Sequence, residues 1–168
     1  MRKVAVIALV VMASVVLAAN ALAESANADD HTKVLGIWKL VSYEAEYQTT
    51  GERESVLGKN WTGYLIFTPE GRMMVAMTTE GRQAPKADQD RAELFKSMIS
   101  YSGMYRLEGD KWTTKVDVSG NPGWVGTEQV RFFRFKGDRL EVTTAWMQAV
   151  NRPERGMGRG FLTWERAK

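Results

Sequence analysis

Two Gly-Asp dipeptides, Gly109-Asp110 and Gly137-Asp138, each lie between short runs rich in aromatic and branched residues, and they constrain the fold more than any other feature. Glycine reaches positive φ without strain and a neighbouring Asp can bond its own backbone, so each pair reads as the two-residue turn of a β-hairpin. Side chains alternate faces along a strand, so the turn fixes the register and the register fixes what faces inward. Within Trp124 to Trp146, the Gly137-Asp138 turn pairs Phe135 with Leu140, Phe133 with Val142, Arg131 with Thr144 and Gln129 with Trp146. The other face carries Glu128, Val130, Phe132, Arg134, Glu141, Thr143 and Ala145. The first face is the more apolar near the turn, yet it holds Arg131 and Gln129. An enclosed guanidinium is costly unless paired. A ligand carboxylate or a bound water would satisfy it inside a barrel; at a rim it would reach water along its own stem.

The second Gly-Asp turn pairs Leu107 with Trp112, Tyr105 with Thr114, Gly103 with Val116 and Tyr101 with Val118. That face is apolar but carries two phenols, and buried hydroxyls need partners. A third hairpin turns at Pro69-Glu70-Gly71 and pairs Phe67 with Met73, Leu65 with Val75 and Gly63 with Met77. Ile37 to Tyr47 reads as a half-buried first strand and Phe161 to Arg166 as the last, with Thr49 to Lys59, Glu80 to Lys86 and Asn151 to Gly160 as loops. The last loop carries Arg152, Arg155 and Arg159, either as a solvated connection or as the mouth for an acidic ligand. Asp88 to Ile99 is the one helical signal, with Asp90 and Glu93 at capping-box spacing and one apolar stripe; such a helix would cover an open barrel end. About eight strands with hairpin links predict an all-β meander, a closed up-and-down barrel or a sandwich.

Residues 1 to 23 have a basic start, a long apolar run and Ala21-Leu22-Ala23 at the end, the pattern of a secretory signal peptide. Cleavage after Ala23 would leave 145 of the 168 residues, a length that suits one domain, preceded by a polar leader over residues 24 to 34. The expected destination is the periplasm or the exterior. Losing Arg2 and Lys3 lowers the net charge from +3 to +1 and leaves no basic block. Nucleic acid is therefore not expected as a partner, nor a membrane once the signal is removed. The chain has no Cys and one His, His31, in the leader, which removes Cys-His and Ser-His-Asp catalysis and leaves no nitrogen or sulfur cluster for a metal. No cofactor is expected, because no glycine-rich loop opens a helix.

The strings Leu35-Gly36-Ile37-Trp38-Lys39-Leu40-Val41-Ser42-Tyr43-Glu44, Gly63-Tyr64-Leu65-Ile66-Phe67-Thr68-Pro69-Glu70-Gly71, Tyr101-Ser102-Gly103-Met104-Tyr105, Trp124 to Arg131 and Leu162-Thr163-Trp164-Glu165-Arg166 together resemble the lipocalin-like domain family of bacterial and fungal proteins. The resemblance implies an eight-stranded antiparallel barrel over residues 35 to 168 with a small-molecule cavity; the short mid-chain helix departs from lipocalins proper, which keep theirs after the last strand. It also implies that Trp38, in Gly36-Ile37-Trp38, packs beneath Arg166. The expected cargo is a small hydrophobic or amphipathic molecule with an acidic or hydroxyl end. Phe67, Met73, Val75, Phe133, Val142 and Trp146 are the expected wall, Tyr101, Tyr105, Gln129 and Arg131 the orienting groups, and Thr144 a further contact. The alternative is a cofactor-independent isomerase, cyclase or hydrolase in which interior Tyr and Arg stabilise a developing oxyanion.

Overall fold

The computed structural model describes residues 32–149 and 152–168. The signal-peptide reading, most of the leader and His31 lie outside the described residues. The chain divides into two units, and the second, Leu35–Lys168, is the barrel. Its strands are β1 (Gly36–Tyr47), β2 (Arg53–Ser55), β3 (Trp61–Phe67), β4 (Arg72–Thr79), β5 (Met98–Glu108), β6 (Lys111–Ser119), β7 (Glu128–Lys136), β8 (Arg139–Thr144), β9 (Met147–Gln148) and β10 (Met157–Arg166), with helix α1 (Asp88–Lys96) between β4 and β5. The ladder runs β2-β1-β3-β4-β5-β6-β7-β8-β10-β9, and β1 also pairs with β10. Eight strands therefore close into an antiparallel barrel, with β2 and β9 as short additions. Closure leaves the barrel proper no edge on which another chain could pair.

The turns set the register as the sequence predicts near each hairpin tip. Gly109 and Gly137 both have φ of +61°, the first position of a turn that only glycine enters cheaply. Phe135 faces Leu140, Phe133 faces Val142 and Arg131 faces Thr144. Leu107 faces Trp112, Tyr105 faces Thr114, and the Phe67/Met73 and Leu65/Val75 pairs also form.

Away from the tips, two bulges change the phase. In β6 the extra residue is Asp117, so Tyr101 pairs with Ser119 and not Val118, and Val118 stands 65% exposed. The Asp117 carboxylate accepts both Arg72 Nη atoms, at 3.1 and 2.7 Å, which ties the bulge to β4. In β1 the extra residue is Val41: Leu40 pairs with Trp164 but Ser42 with Thr163. Inward positions then pass from Trp38 and Leu40 to Tyr43, Ala45 and Tyr47. The expected Gln129/Trp146 pair does not form, because β8 ends at Thr144 and Gln129 pairs with Thr114 of β6 instead.

Helix α1 stops at Lys96, three residues short of the predicted end, because Met98 already begins β5. Asp90, not the Asp90/Glu93 pair, closes its start: the Asp90 carboxylate accepts the backbone N–H of Lys86 and of Ala87 at 2.8 and 3.0 Å. No residue of α1 is buried. No helix among the described residues is long and apolar enough to cross a membrane.

Candidate functional site

The two ends of the barrel are built differently. All three tight turns, at Pro69–Gly71, Gly109-Asp110 and Gly137-Asp138, lie at the end where β1 starts and β10 finishes. There Phe67 meets Trp112 and Tyr105 edge-on at 5.1 and 5.0 Å, while Trp112 meets Phe133 and Phe133 meets Phe135 at 5.6 and 5.9 Å. Arg166 closes this floor with its guanidinium 3.9 Å from the Trp38 ring and a hydrogen bond to the Leu35 carbonyl. The contact implied by the resemblance is therefore present.

The opposite end carries the long connections, and a cavity opens there. It offers about 90 Å³ to the centres of water-sized molecules, and about 810 Å³ of atom-free space once the mouth is counted. Its aromatic wall is Tyr43, Tyr47, Tyr101, Trp112, Trp124 and Trp164. Two glycines of β10 make the room. A Cβ on Gly160 would come within 3.0 Å of Tyr43 Cε2 and 3.3 Å of Thr144 Cγ2, and one on Gly158 within 3.3 Å of the Tyr47 ring. The rim comes from the turn at Val56–Gly58, anchored by Trp61 Nε1 donating to the Val56 carbonyl at 3.0 Å, from the turn at Pro122–Trp124, and from Met147 to Ala149 with Arg152.

Among the described residues, three arginines, Arg131, Arg152 and Arg159, and no carboxylate line this cavity. Arg159 is neutralised: its Nη2 donates to both Glu46 oxygens at 3.0 and 3.1 Å, and it lies against Trp146 and Phe161 at 4.7 and 5.1 Å. Arg159 stands on β10, which begins at Met157, so the loop expected over 151 to 160 is shorter than predicted; Arg155, in the turn before β10, pairs with Glu54 at 3.1 Å and covers the Tyr47 ring. Arg152 makes no ion pair among the described residues. Arg131 is the deep one, 6% exposed. It donates to the Val130 carbonyl at 2.8 Å and to Gln129 Oε1 at 3.3 Å, and no described carboxylate lies within ion-pairing distance. Its guanidinium is 5.7 Å from the Tyr101 ring, and Trp124 stands edge-on to Tyr101 at 5.5 Å.

Burial pushes the Tyr43 hydroxyl up to about 12, against a smaller opposing pull from the Arg131 charge. At neutral pH this phenol is a hydrogen-bond donor, and its pKa is too far from 7 for an efficient proton-transfer group. The indole N–H groups of Trp112 and Trp164 are buried without an acceptor. The wall thus presents donors and a positive charge to whatever fills it. Among the described residues no group of three or more His, Cys, Asp or Glu could hold a metal ion.

Of the eleven residues predicted from sequence, Val75, Tyr101, Arg131, Val142 and Thr144 line the cavity. Gln129 is buried just behind Arg131. Phe67, Met73, Tyr105 and Phe133 face inward but pack into the floor, where the Tyr105 hydroxyl donates to the Thr68 carbonyl at 3.3 Å. Trp146 lies outside the wall, against Arg159. Sequence reasoning missed Tyr43 and Tyr47, whose inward direction depends on the Val41 bulge, and Trp124, which sits in a loop. The spacing Gly158-x-Gly160 in a strand was the available signal for space.

A model of the lipocalin-like domain matches residues 35–167. The chain belongs to the lipocalin-like domain family. A curated relative from Aspergillus oryzae, named as a 4'-hydroxy-3'-methoxypropiophenone carrier protein, is 30% identical over 87 residues, 47% of this chain and 76% of the relative. Among solved structures, a redesigned β-barrel is similar at 10% identity over 82% of this chain and 94% of that one, with a TM-score of 0.42. An uncharacterised protein of Bacteroides eggerthii matches at 14% identity over 79% and 98%, also at 0.42.

Proposed function

We propose that this lipocalin-like protein is an exported carrier holding one small, mainly apolar molecule, acidic or hydroxylated at one end, in the mouth half of its barrel. The observation that carries this reading is the cavity itself: a space walled by aromatic and aliphatic side chains with one buried cation, beside a floor packed without comparable room. Apolar walls with few convergent polar groups suit a small ligand. The carrier name of the Aspergillus oryzae relative supports a small-molecule cargo. The basic start, apolar run and Ala21-Leu22-Ala23 support export.

Native mass spectrometry of protein purified from its own host tests the cargo. One retained small molecule per chain is expected; repeated isolation of the bare polypeptide mass, with no small molecule in an organic extract, counts against the reading. Sequencing the mature N-terminus tests export separately, with Glu24 as the expected first residue. A mature chain still beginning at Met1 in the cytosol would refute it.

A further inference from the structure

The carrier reading leaves open whether the cargo's polar end is acidic or merely hydroxylated, and the surroundings of Arg131 bear on that choice. A guanidinium has five N–H donors in a fixed fork. Two of Arg131's have partners, the Val130 carbonyl and Gln129 Oε1, and both partners are neutral. The remaining three have no partner among the described residues, at a residue that is 94% buried yet forms part of the cavity wall. Taking such a charge out of water costs several kcal/mol unless a counter-charge meets it. Near the mouth, Arg159 and Arg53 share Glu46, the second at 3.6 Å, and Arg155 has Glu54; Arg152 makes no ion pair among the described residues but is only half-buried, so Arg131 is the one enclosed cation there whose described partners are all neutral.

Arg131 is also held in place. Gln129 Oε1 accepts from Arg131 Nη2, Gln129 Nε2 donates to Thr127 Oγ1 at 3.0 Å, and Thr127 Oγ1 donates to the Trp124 carbonyl at 2.7 Å. This chain of bonds runs from the guanidinium to the rim turn that carries Trp124. The Trp124 ring in turn meets Tyr101, the ring over which Arg131 lies. One short network therefore sets both the cation and the two rings beside it. The two rings already meet edge-on, so a planar group would lie against them on the cavity side, with its charged end toward the guanidinium.

Resting on the carrier reading, we infer that the cargo is bound as a flat aromatic monoanion, its carboxylate, sulfonate or phenolate docked on Arg131 and its ring against Tyr101 and Trp124. Gln129 is a positioning residue: its amide oxygen aims the guanidinium without cancelling its charge. A glutamate there would be the counter-ion and would shut the anion out.

The experiment is calorimetric titration of the full mature chain with cinnamate and with cinnamamide, which share shape and differ in charge. In the native protein cinnamate is expected to bind at least about tenfold more tightly, since hydrogen bonds to a charged partner exceed neutral ones by 1.4 kcal/mol or more, and that energy is a factor of ten. Arg131→Met should abolish the preference and leave amide binding within about threefold. Gln129→Glu should lower cinnamate affinity and spare the amide, a change of ratio that a purely structural role would not produce. Circular dichroism melts check that each variant is folded; if Arg131→Met fails to fold, Gln129→Glu decides alone. Equal affinity for the two compounds, or a preference that survives both variants, overturns the inference and leaves the carrier reading standing. Failure of cinnamate to bind the native chain also overturns it, whereas the carrier reading stands or falls on the retained mass from the host.

Discussion

The floor and the mouth of this barrel are made from the same eight strands, yet one is packed and the other is hollow. At the floor, two-residue and other tight turns bring consecutive strands together in the register their tips dictate, and Trp38, Phe67, Trp112, Phe133 and Leu140 fill the space. At the mouth, the Val41 bulge turns Tyr43 and Tyr47 inward at levels where β10 offers glycine, Tyr101 joins them from β5, and long connections replace tight turns. Packing supplies the stability at one end, and the lack of it supplies the site at the other. The difference teaches that in a closed barrel a cavity is made by placing small residues opposite large rings near one rim, with the strand count unchanged.

The largest effect expected from this contrast is on stability. Trp38→Ala should cost about 3–5 kcal/mol, read from the urea midpoint, because it empties the floor and leaves the Arg166 cation without its ring. Trp124→Ala, at the half-exposed rim, should cost less than about 1.5 kcal/mol. Equal losses would break the comparison.

The next effect separates the ends by pH. The folded state holds the Tyr43 proton to about pH 12, whereas an unfolded tyrosine loses it near 10. The folded state thus binds more protons across that window, so stability is complete below pH 10 and falls as pH rises from 10 to 12. The expected loss is about 3 kcal/mol, on the order of 1.4 for each of the two pH units. Between pH 10 and 12 the denaturant midpoint of the native chain should fall relative to that of Tyr43→Phe, measured against their difference at pH 8. Parallel curves would mean that Tyr43 meets more water than its position implies.

Gly160→Leu sharpens the comparison from the other side. Its Cβ projects toward Tyr43 and Thr144, so the side chain should occupy the cavity, reduce cinnamate and cinnamamide binding alike by more than tenfold, and cost about 1–3 kcal/mol of stability through crowding. Unchanged binding would move the site away from the mouth half.

The same contrast decides what could be read from the chain. Gly109 and Gly137 dictate their turns locally, so the pairs Phe135/Leu140, Phe133/Val142 and Leu107/Trp112 were legible, and Arg131 with them. The Val41 and Asp117 bulges were not, because each is settled by a neighbouring strand: Asp117 is held by Arg72, 45 residues away in sequence, and Val41 by the pairing of β1 with β10. One extra residue reverses every later side chain. That is why Tyr43 and Tyr47 were missed and why Val118 was placed opposite Tyr101. The wall residues Met73, Phe67 and Phe133 were correctly turned inward but assigned to the wrong depth, since alternation fixes a face and says nothing of height. Trp146 was misplaced because β8 ends before it.

The smallest effect concerns how the mouth is held. Its covering loop is tied to β2 by the Arg155–Glu54 pair, whose side chains are 31% and 41% exposed. Pairs this exposed contribute about 0–1 kcal/mol and fade as salt is added. Glu54→Gln should therefore leave the urea midpoint within about 1 kcal/mol of the native value while speeding release of cinnamamide. The neutral probe is needed because salt also screens an anion from Arg131. Raising sodium chloride should hasten amide release from the native chain and have little effect on the variant, whereas the floor, held by rings and one cation over an indole, should not respond in either. A salt-independent release rate in the native protein would mean that the loop is held by the Tyr47 and Trp146 ring contacts instead, and the two ends would then be fastened by the same kind of force.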